Sequence, residues 1–332
     1  MRTAPPVAHG AAPLARPGGG PNAARDTQTA GAPASGRPGR LRGYLETGAA
    51  AVVNGSIGTM VSYATMPASM LLVVRMAFAT LALGGVVLPR RLLATLRAPG
   101  VPVRVLGISA TLAVNLLLYF LAIRETGVAV AIFLSYLAPV YLAVVAPLVF
   151  HERTEPAVYV ALLVSLGGMA LILVPGLAEA RLSVLGLLYA WGAGVLYAVY
   201  LLLGKSLQRR HVPSTAIVFV QSAFTTLAVL PLGLYEVVGR YTPTATDLVI
   251  GLLLGLVATA FSFSLFMDGL RYIKVQHAPI MGYLEPVSAP VYAFVFLGER
   301  PSSWTIAGGA LIVLAGLMVV AFGGETQPEL QG

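Results

Sequence analysis

Residues 131–153 read AIFLSYLAPVYLAVVAPLVFHER, and residues 278–300 read APIMGYLEPVSAPVYAFVFLGER. They align without a gap at an offset of 147, and nine of the 23 positions are identical. The matches include Tyr136/Tyr283, Leu137/Leu284, Pro139/Pro286, Glu152/Glu299 and Arg153/Arg300. Each stretch stays apolar for about 20 residues and then ends in charge, the length needed to cross about 30 Å of hydrocarbon as a helix. With no water in the bilayer core, a span of this kind must be helical. A β-barrel is excluded, because its strands alternate in polarity over about ten residues.

The repeat extends beyond these stretches. At the same offset Arg124 meets Arg271, and Ala77-Phe78-Ala79-Thr80-Leu81-Ala82 matches Ala223-Phe224-Thr225-Thr226-Leu227-Ala228 at an offset of 146. Counting every apolar stretch gives ten expected spans: 45–66, 69–88, 102–122, 126–149, 157–175, 183–203, 212–233, 247–267, 277–297 and 301–322. Each half thus holds five, an odd number, so the halves insert with opposite orientation. Inverted repeats of this type are a transporter architecture, with the solute site near the midplane. The fold class expected is therefore an all-α integral membrane protein of ten transmembrane helices, built as two inverted five-helix repeats at 41–177 and 182–323. A non-transporting duplicated scaffold is the other reading of the same duplication.

Composition agrees. Of 332 residues only 21 are basic and 13 acidic, and 57% are apolar, with a mean hydropathy of +0.83. A soluble domain carries about 25% charge, so an ordinary water-soluble enzyme is excluded. The chain has no Cys, which removes thiol nucleophiles and Cys-ligated metals. His9, His151, His211 and His277 are scattered, so no metal and no cofactor are expected. Residues 1–40, rich in Pro, Gly and Arg with no apolar period, read as a disordered tail rather than a signal peptide. Residues 324–332 form a short second tail.

Lys and Arg sort by side. Taking the tail as cytoplasmic, sixteen of the 21 fall in segments on its side and four (Arg124, Arg181, Arg240, Arg300) on the other. Cytoplasmic loops carry the excess of positive charge, so both termini are expected in the cytoplasm of a multi-pass cell-membrane protein. The net charge of +8 thereby reports topology and not nucleic acid. Expected partners are a small-molecule substrate and membrane lipid. Oligomeric state is not legible, because lipid-facing and partner-facing apolar surfaces look alike.

These residues resemble a family. The doubled Tyr-Leu-x-Pro-Val followed by Glu-Arg looks like the EamA domain of the drug/metabolite transporter superfamily. Trp191-Gly192 in the sixth span, Arg75 in the second, and the glycine pairs Gly167-Gly168 and Gly308-Gly309 fit the same likeness. The resemblance implies ten helices around a central cavity and export or exchange of small metabolites, often amino acids. Import through the same fold is the alternative. One departure is in the first helix, where the family's Trp-Gly pair reads Asn54-Gly55.

Two charges fall deep in spans. Glu285 is the deep acid, and such a group is costly and by default functional. It is expected to bind a proton or a substrate amino group, or to bond helix backbone freed at Pro286. Its repeat partner is Ala138. Arg75 is the deep base, opposite Gln221 in the repeat. Its readings are a carboxylate clamp, a bond between helices, or snorkelling toward the interface. Asn115, Asn54, Tyr136, Tyr283 and Trp191 complete the expected substrate or proton path. Pro139 and Pro286 are expected hinges, bending the fourth and ninth helices. No catalytic residues are expected. Gly204-Lys205-Ser206 lacks the earlier glycine of a P-loop, since Val199 stands there.

Overall fold

The computed structural model describes residues 37–87, 95–151, 154–177, 183–238 and 240–324. The expected tails lie outside these, apart from residues 37–40 and 324. The elements are α1 (Arg37–Asn54), α2 (Ser56–Ser62), α3 (Ala68–Val87), α4 (Val101–Thr126), α5 (Val128–Ser135), α6 (Ala138–Phe150) and α7 (Pro156–Leu177). They continue with α8 (Val184–Arg209), α9 (Ser214–Val237), α10 (Ala245–Gly255), a π-helical turn (Leu256–Phe261), α11 (Ser262–Tyr272), α12 (Ala278–Gly282), α13 (Leu284–Leu297) and α14 (Ser303–Phe322). Residues 37–40, which composition assigns to the tail, are helical. Arg40 accounts for this by donating to the backbone carbonyls of Gly323 and Val320.

Among the described residues, nine helical segments are long and apolar enough to cross a membrane. They begin at Ala68, Val101, Val128, Pro156, Val184, Ser214, Ala245, Ala278 and Ser303. The first expected span is present in a different form. It is divided at Gly55 into α1 and α2, and its early turns carry Arg40, Arg42 and Glu46, so neither piece is a long apolar helix.

Four long pairings build the bundle: α7 with α14, α4 with α8, α3 with α9, and α1 with α11. Small residues set how close they come. A Cβ on Gly168 of α7 would lie 2.6 Å from the Gly308 carbonyl of α14, so this crossing is backbone on backbone. Likewise a Cβ on Gly269 of α11 would sit 2.8 Å from the Gly43 carbonyl of α1.

The helices break at matched places. Tyr136 and Leu137 separate α5 from α6, and Tyr283 separates α12 from α13. The C-caps match as well: His151 ends α6 at φ 56° and Gly298 ends α13 at φ 72°, both left-handed. Pro139 and Pro286 follow the breaks and sit in the first turns of α6 and α13, where a missing N–H leaves no bond unmade. Each interruption lies two to three residues before its proline, the side on which a proline ring disturbs a helix.

Polar clusters tie the loops at both ends. At one end, Asp247 Oδ1 accepts from the backbone N–H of Thr65 at 2.7 Å and of Met66 at 3.0 Å. Its Oδ2 accepts from the Tyr241 hydroxyl and from Thr244 N–H at 2.9 Å. At the other end, the Tyr44 hydroxyl and His277 Nδ1 are 2.8 Å apart, His277 Nε2 lies 3.5 Å from Glu155, and Lys274 bonds Glu155. Nearby, buried Lys205 donates to the carbonyls of Leu270 at 3.0 Å and Ile273 at 2.6 Å, capping α11.

Candidate functional site

Tertiary packing joins residues that are far apart in sequence. A cavity of about 410 Å³ is lined by Asn54, Arg75, Asn115, Tyr136, Tyr283 and Glu285 together. Pro139 lines it too. The two deep charges thus share one cavity wall, which their positions in sequence do not reveal. A second cavity, of about 730 Å³, shares Asn54, Tyr119, Tyr136 and Glu285 with the first and runs out to Glu299, Arg300 and Ser302. Pro286 lines this outer part. Glu285 stands where the two spaces adjoin.

Each wall residue is placed by its helix. Glu285 lies in the first turn of α13, directly after the break at Tyr283. Gly55 lets α1 reach it: a Cβ there would lie 2.8 Å from the Glu285 carbonyl and would collide with the Ser288 hydroxyl. The Asn54-Gly55 pair is therefore a contact point between α1 and α13, with the Asn54 side chain turned to the cavity. Asn54 Oδ1 accepts from Ser262 Oγ at 2.8 Å. Asn115 lines the cavity while its Nδ2 donates to the Ala193 carbonyl at 2.7 Å. Both asparagines therefore brace neighbouring helices as well as line the space.

Tyr136 and Tyr283 meet across the centre. Their rings stack at 5.6 Å between centroids, and the Tyr283 hydroxyl donates to the Tyr136 carbonyl. That carbonyl belongs to the residue at which α5 ends, so one break supplies the acceptor and the other the donor. Arg75 projects from α3 toward the π-helical turn, where Nε donates to Thr259 Oγ1 at 2.6 Å and Nη2 to the Ala258 carbonyl at 3.2 Å. Of its three readings, snorkelling is corrected, because the guanidinium is bonded inward.

Trp191 is a second correction. It is 53% exposed and absent from both cavities. The inner face of α8 runs through Ala190, Ala193, Tyr197 and Tyr200. Trp191 is six residues from Tyr197, about 120° round the helix at about 100° per residue. It therefore faces outward.

Other wall residues carried little signal in the sequence. Tyr197 and Tyr200 show as a Tyr pair at i, i+3, a helix-face spacing. Phe263 and Phe266 show the same spacing, yet in an apolar span that pattern reads equally as lipid-facing. Gln221, the repeat partner of Arg75, donates to the Tyr200 hydroxyl at 3.2 Å and so steadies the wall from behind.

A multi-pass helical bundle with a cavity of this size, and one acid and one base on its wall, fits the class of membrane transporters. The chain belongs to the EamA-like transporter family, which matches it over residues 41–174 and 184–321. An uncharacterized transporter of Archaeoglobus fulgidus is 36% identical over 202 residues, 60% of this chain and 70% of that protein. The threonine/homoserine exporter RhtA of Salmonella typhimurium is 26% identical over 206 residues, 62% of this chain and 65% of the exporter. A solved crystal structure matches with a TM-score of 0.70 at 22% identity, covering 86% of this chain and 98% of that one. That likeness shows the fold.

Proposed function

We propose that the protein is an exporter of amino acids or related small zwitterions that works by alternating access across the cell membrane. The observation that carries this reading is the shared cavity: Arg75 and Glu285 line one space of about 410 Å³, a base for a carboxylate and an acid for an amino group or a proton. The name of RhtA, a threonine/homoserine exporter, supports the same substrate class. Tyr119, Tyr136, Tyr197 and Tyr200 surround the charges and suit a solute with an apolar or planar tail.

The proposal includes a ten-span inverted repeat, with α1 and α2 together as the tenth span. Support comes from the pairings, because exchanging the halves maps α7·α14 and α3·α9 onto themselves and α4·α8 onto α1·α11. Matched breaks at Tyr136 and Tyr283 and matched caps at His151 and Gly298 favour the same symmetry. The two proposed five-span units are 41–177 and 182–323, and both termini lie in the cytoplasm by the count of basic residues. The second cavity then leads outward, since it reaches the loop of Arg300. The cluster of Tyr44, Glu155, Lys274 and His277 closes the cytoplasmic end.

Glu285 is the proposed protonatable group. Transport is measured in proteoliposomes with radiolabelled amino acids and an imposed pH gradient. Glu285→Gln is expected to abolish the response to the gradient and lower uphill accumulation at least tenfold. Unchanged accumulation and pH response would remove the coupling role. Uptake no greater than that of protein-free vesicles, across a panel of amino acids, would sink the exporter reading itself.

A further inference from the structure

Arg75 is held by a distortion in the helix opposite. Both of its partners, Ala258 and Thr259, belong to the π-helical turn Leu256–Phe261, a rare geometry found mostly as single turns at functional sites. The turn sets the Ala258 carbonyl and the Thr259 hydroxyl side by side toward α3. Thr259 is fully buried, and its hydroxyl donates to the Leu254 carbonyl, five residues back, at 3.0 Å. With its proton so committed, the oxygen is an acceptor for Arg75 Nε. The backbones close up at the same level, where a Cβ on Gly255 would lie 2.7 Å from the Arg75 carbonyl. Phe263, one turn on, places its ring 5.7 Å from the guanidinium carbon.

A guanidinium carries five N–H donors in a rigid planar fork. Thr259 and Ala258 take two of Arg75's, and three remain on a side chain that lines the cavity. Among the described residues no carboxylate forms an ion pair with it. Glu285 lines the same cavity without a direct bond to Arg75, so a fixed fork with spare donors remains to suit a carboxylate, which it can grip through two parallel bonds.

We infer that Thr259 is the positioning residue that aims Arg75 at the carboxylate of the transported solute. The inference rests on the reading that this cavity carries the solute, and it names the group by which the solute is held. Without the hydroxyl, Nε loses its anchor and the fork is held by the longer bond to the Ala258 carbonyl alone, so its orientation loosens and the grip on a planar anion weakens. Contacts to the rest of the solute are untouched.

The test compares each acid with its ester. Binding constants of the full-length detergent-purified protein are measured by calorimetry for L-threonine, L-leucine and L-tyrosine and for their methyl esters. The wild type is expected to bind at least one acid tenfold or more tightly than its ester. Thr259→Val is expected to cut that ratio at least fivefold while leaving ester binding within twofold, and Thr259→Ser to keep the ratio. An unchanged ratio in Thr259→Val overturns the inference, as does equal loss of acid and ester, or a wild type that prefers no acid to its ester. If Thr259→Val does not fold, Arg75→Lys, which keeps the charge and lacks the fork, must show the same loss of ratio, and its retention overturns the inference. Preference for the acid without transport in vesicles would defeat the exporter reading while leaving the aiming of Arg75 by Thr259 at a bound carboxylate intact.

Discussion

At one end of the bundle a single carboxylate outside the spans gathers a polar cluster. Burial alone would raise the Glu155 carboxyl, but the His277 ring 3.5 Å away and the hydrogen bond from Lys274 outweigh it and bring the group down to about 2. Its folded value lies below the ordinary one of 4.5, so the stability it contributes is complete above that pH and is lost as pH falls toward 2. Thermal unfolding in detergent is expected to hold steady from pH 7 to 5 and to decline below pH 4.5. Glu155→Gln should flatten that decline and lower stability at pH 7 by about 1.5–3 kcal/mol, the range for hydrogen bonds to charged groups. At the cavity, what the sequence could disclose was cost. Glu285 and Arg75 stand out because charge is rare in a span, whereas Tyr197 and Phe263 do not, because aromatic side chains are as much at home against lipid as around a solute. Trp191 failed for the same reason: residue type carried the expectation, and helical phase decided against it.

Elements were legible where length and polarity define them. Ten apolar stretches announced themselves, most bounded by charge, proline or glycine, and among the described residues nine of them are long apolar helices. The interruptions at Tyr136 and Tyr283 were signalled only by Pro139 and Pro286 just beyond them, because a break stabilised by partners in another helix leaves the apolar run intact. The π-helical turn is hidden likewise, its partners lying on α3. Gly55 is where such hidden geometry is most exposed to mutation. Its backbone is ordinary α-helix at φ −57°, so the objection to a side chain is contact alone. Gly55→Ala is expected to push α1 away from Glu285 and Ser288, at about 1–3 kcal/mol for overpacking. Transport should fall with it, and Ser288→Gly, which removes the colliding hydroxyl, should recover part of the lost thermal stability in the double variant.

The duplication reaches the whole molecule through its charges. Reporter fusions at residues 42, 124, 210 and 300 should place the first and third on the cytoplasmic side and the others outside; the mirror pattern would reverse the orientation, and any other would overturn the ten-span topology. The chain has no native cysteine, so single cysteines placed at Ser135 and Ser302 report on access to the two cavities without background. Winding, too, has a molecular reach. An α-helix advances about 100° per residue, and a turn closed by i→i+5 bonds takes up one extra residue within the helix that runs from α10 to α11. Deleting Val257 alone is expected to restore regular winding while leaving α11 near its present phase, so that Phe263, Phe266 and Gly269 keep their faces. The loss would fall on the turn itself, where the Ala258 carbonyl and the Thr259 hydroxyl would no longer stand together toward Arg75. The extra residue thus works as slack in the winding, spent at one level of the helix to turn two acceptors aside without disturbing what lies above and below.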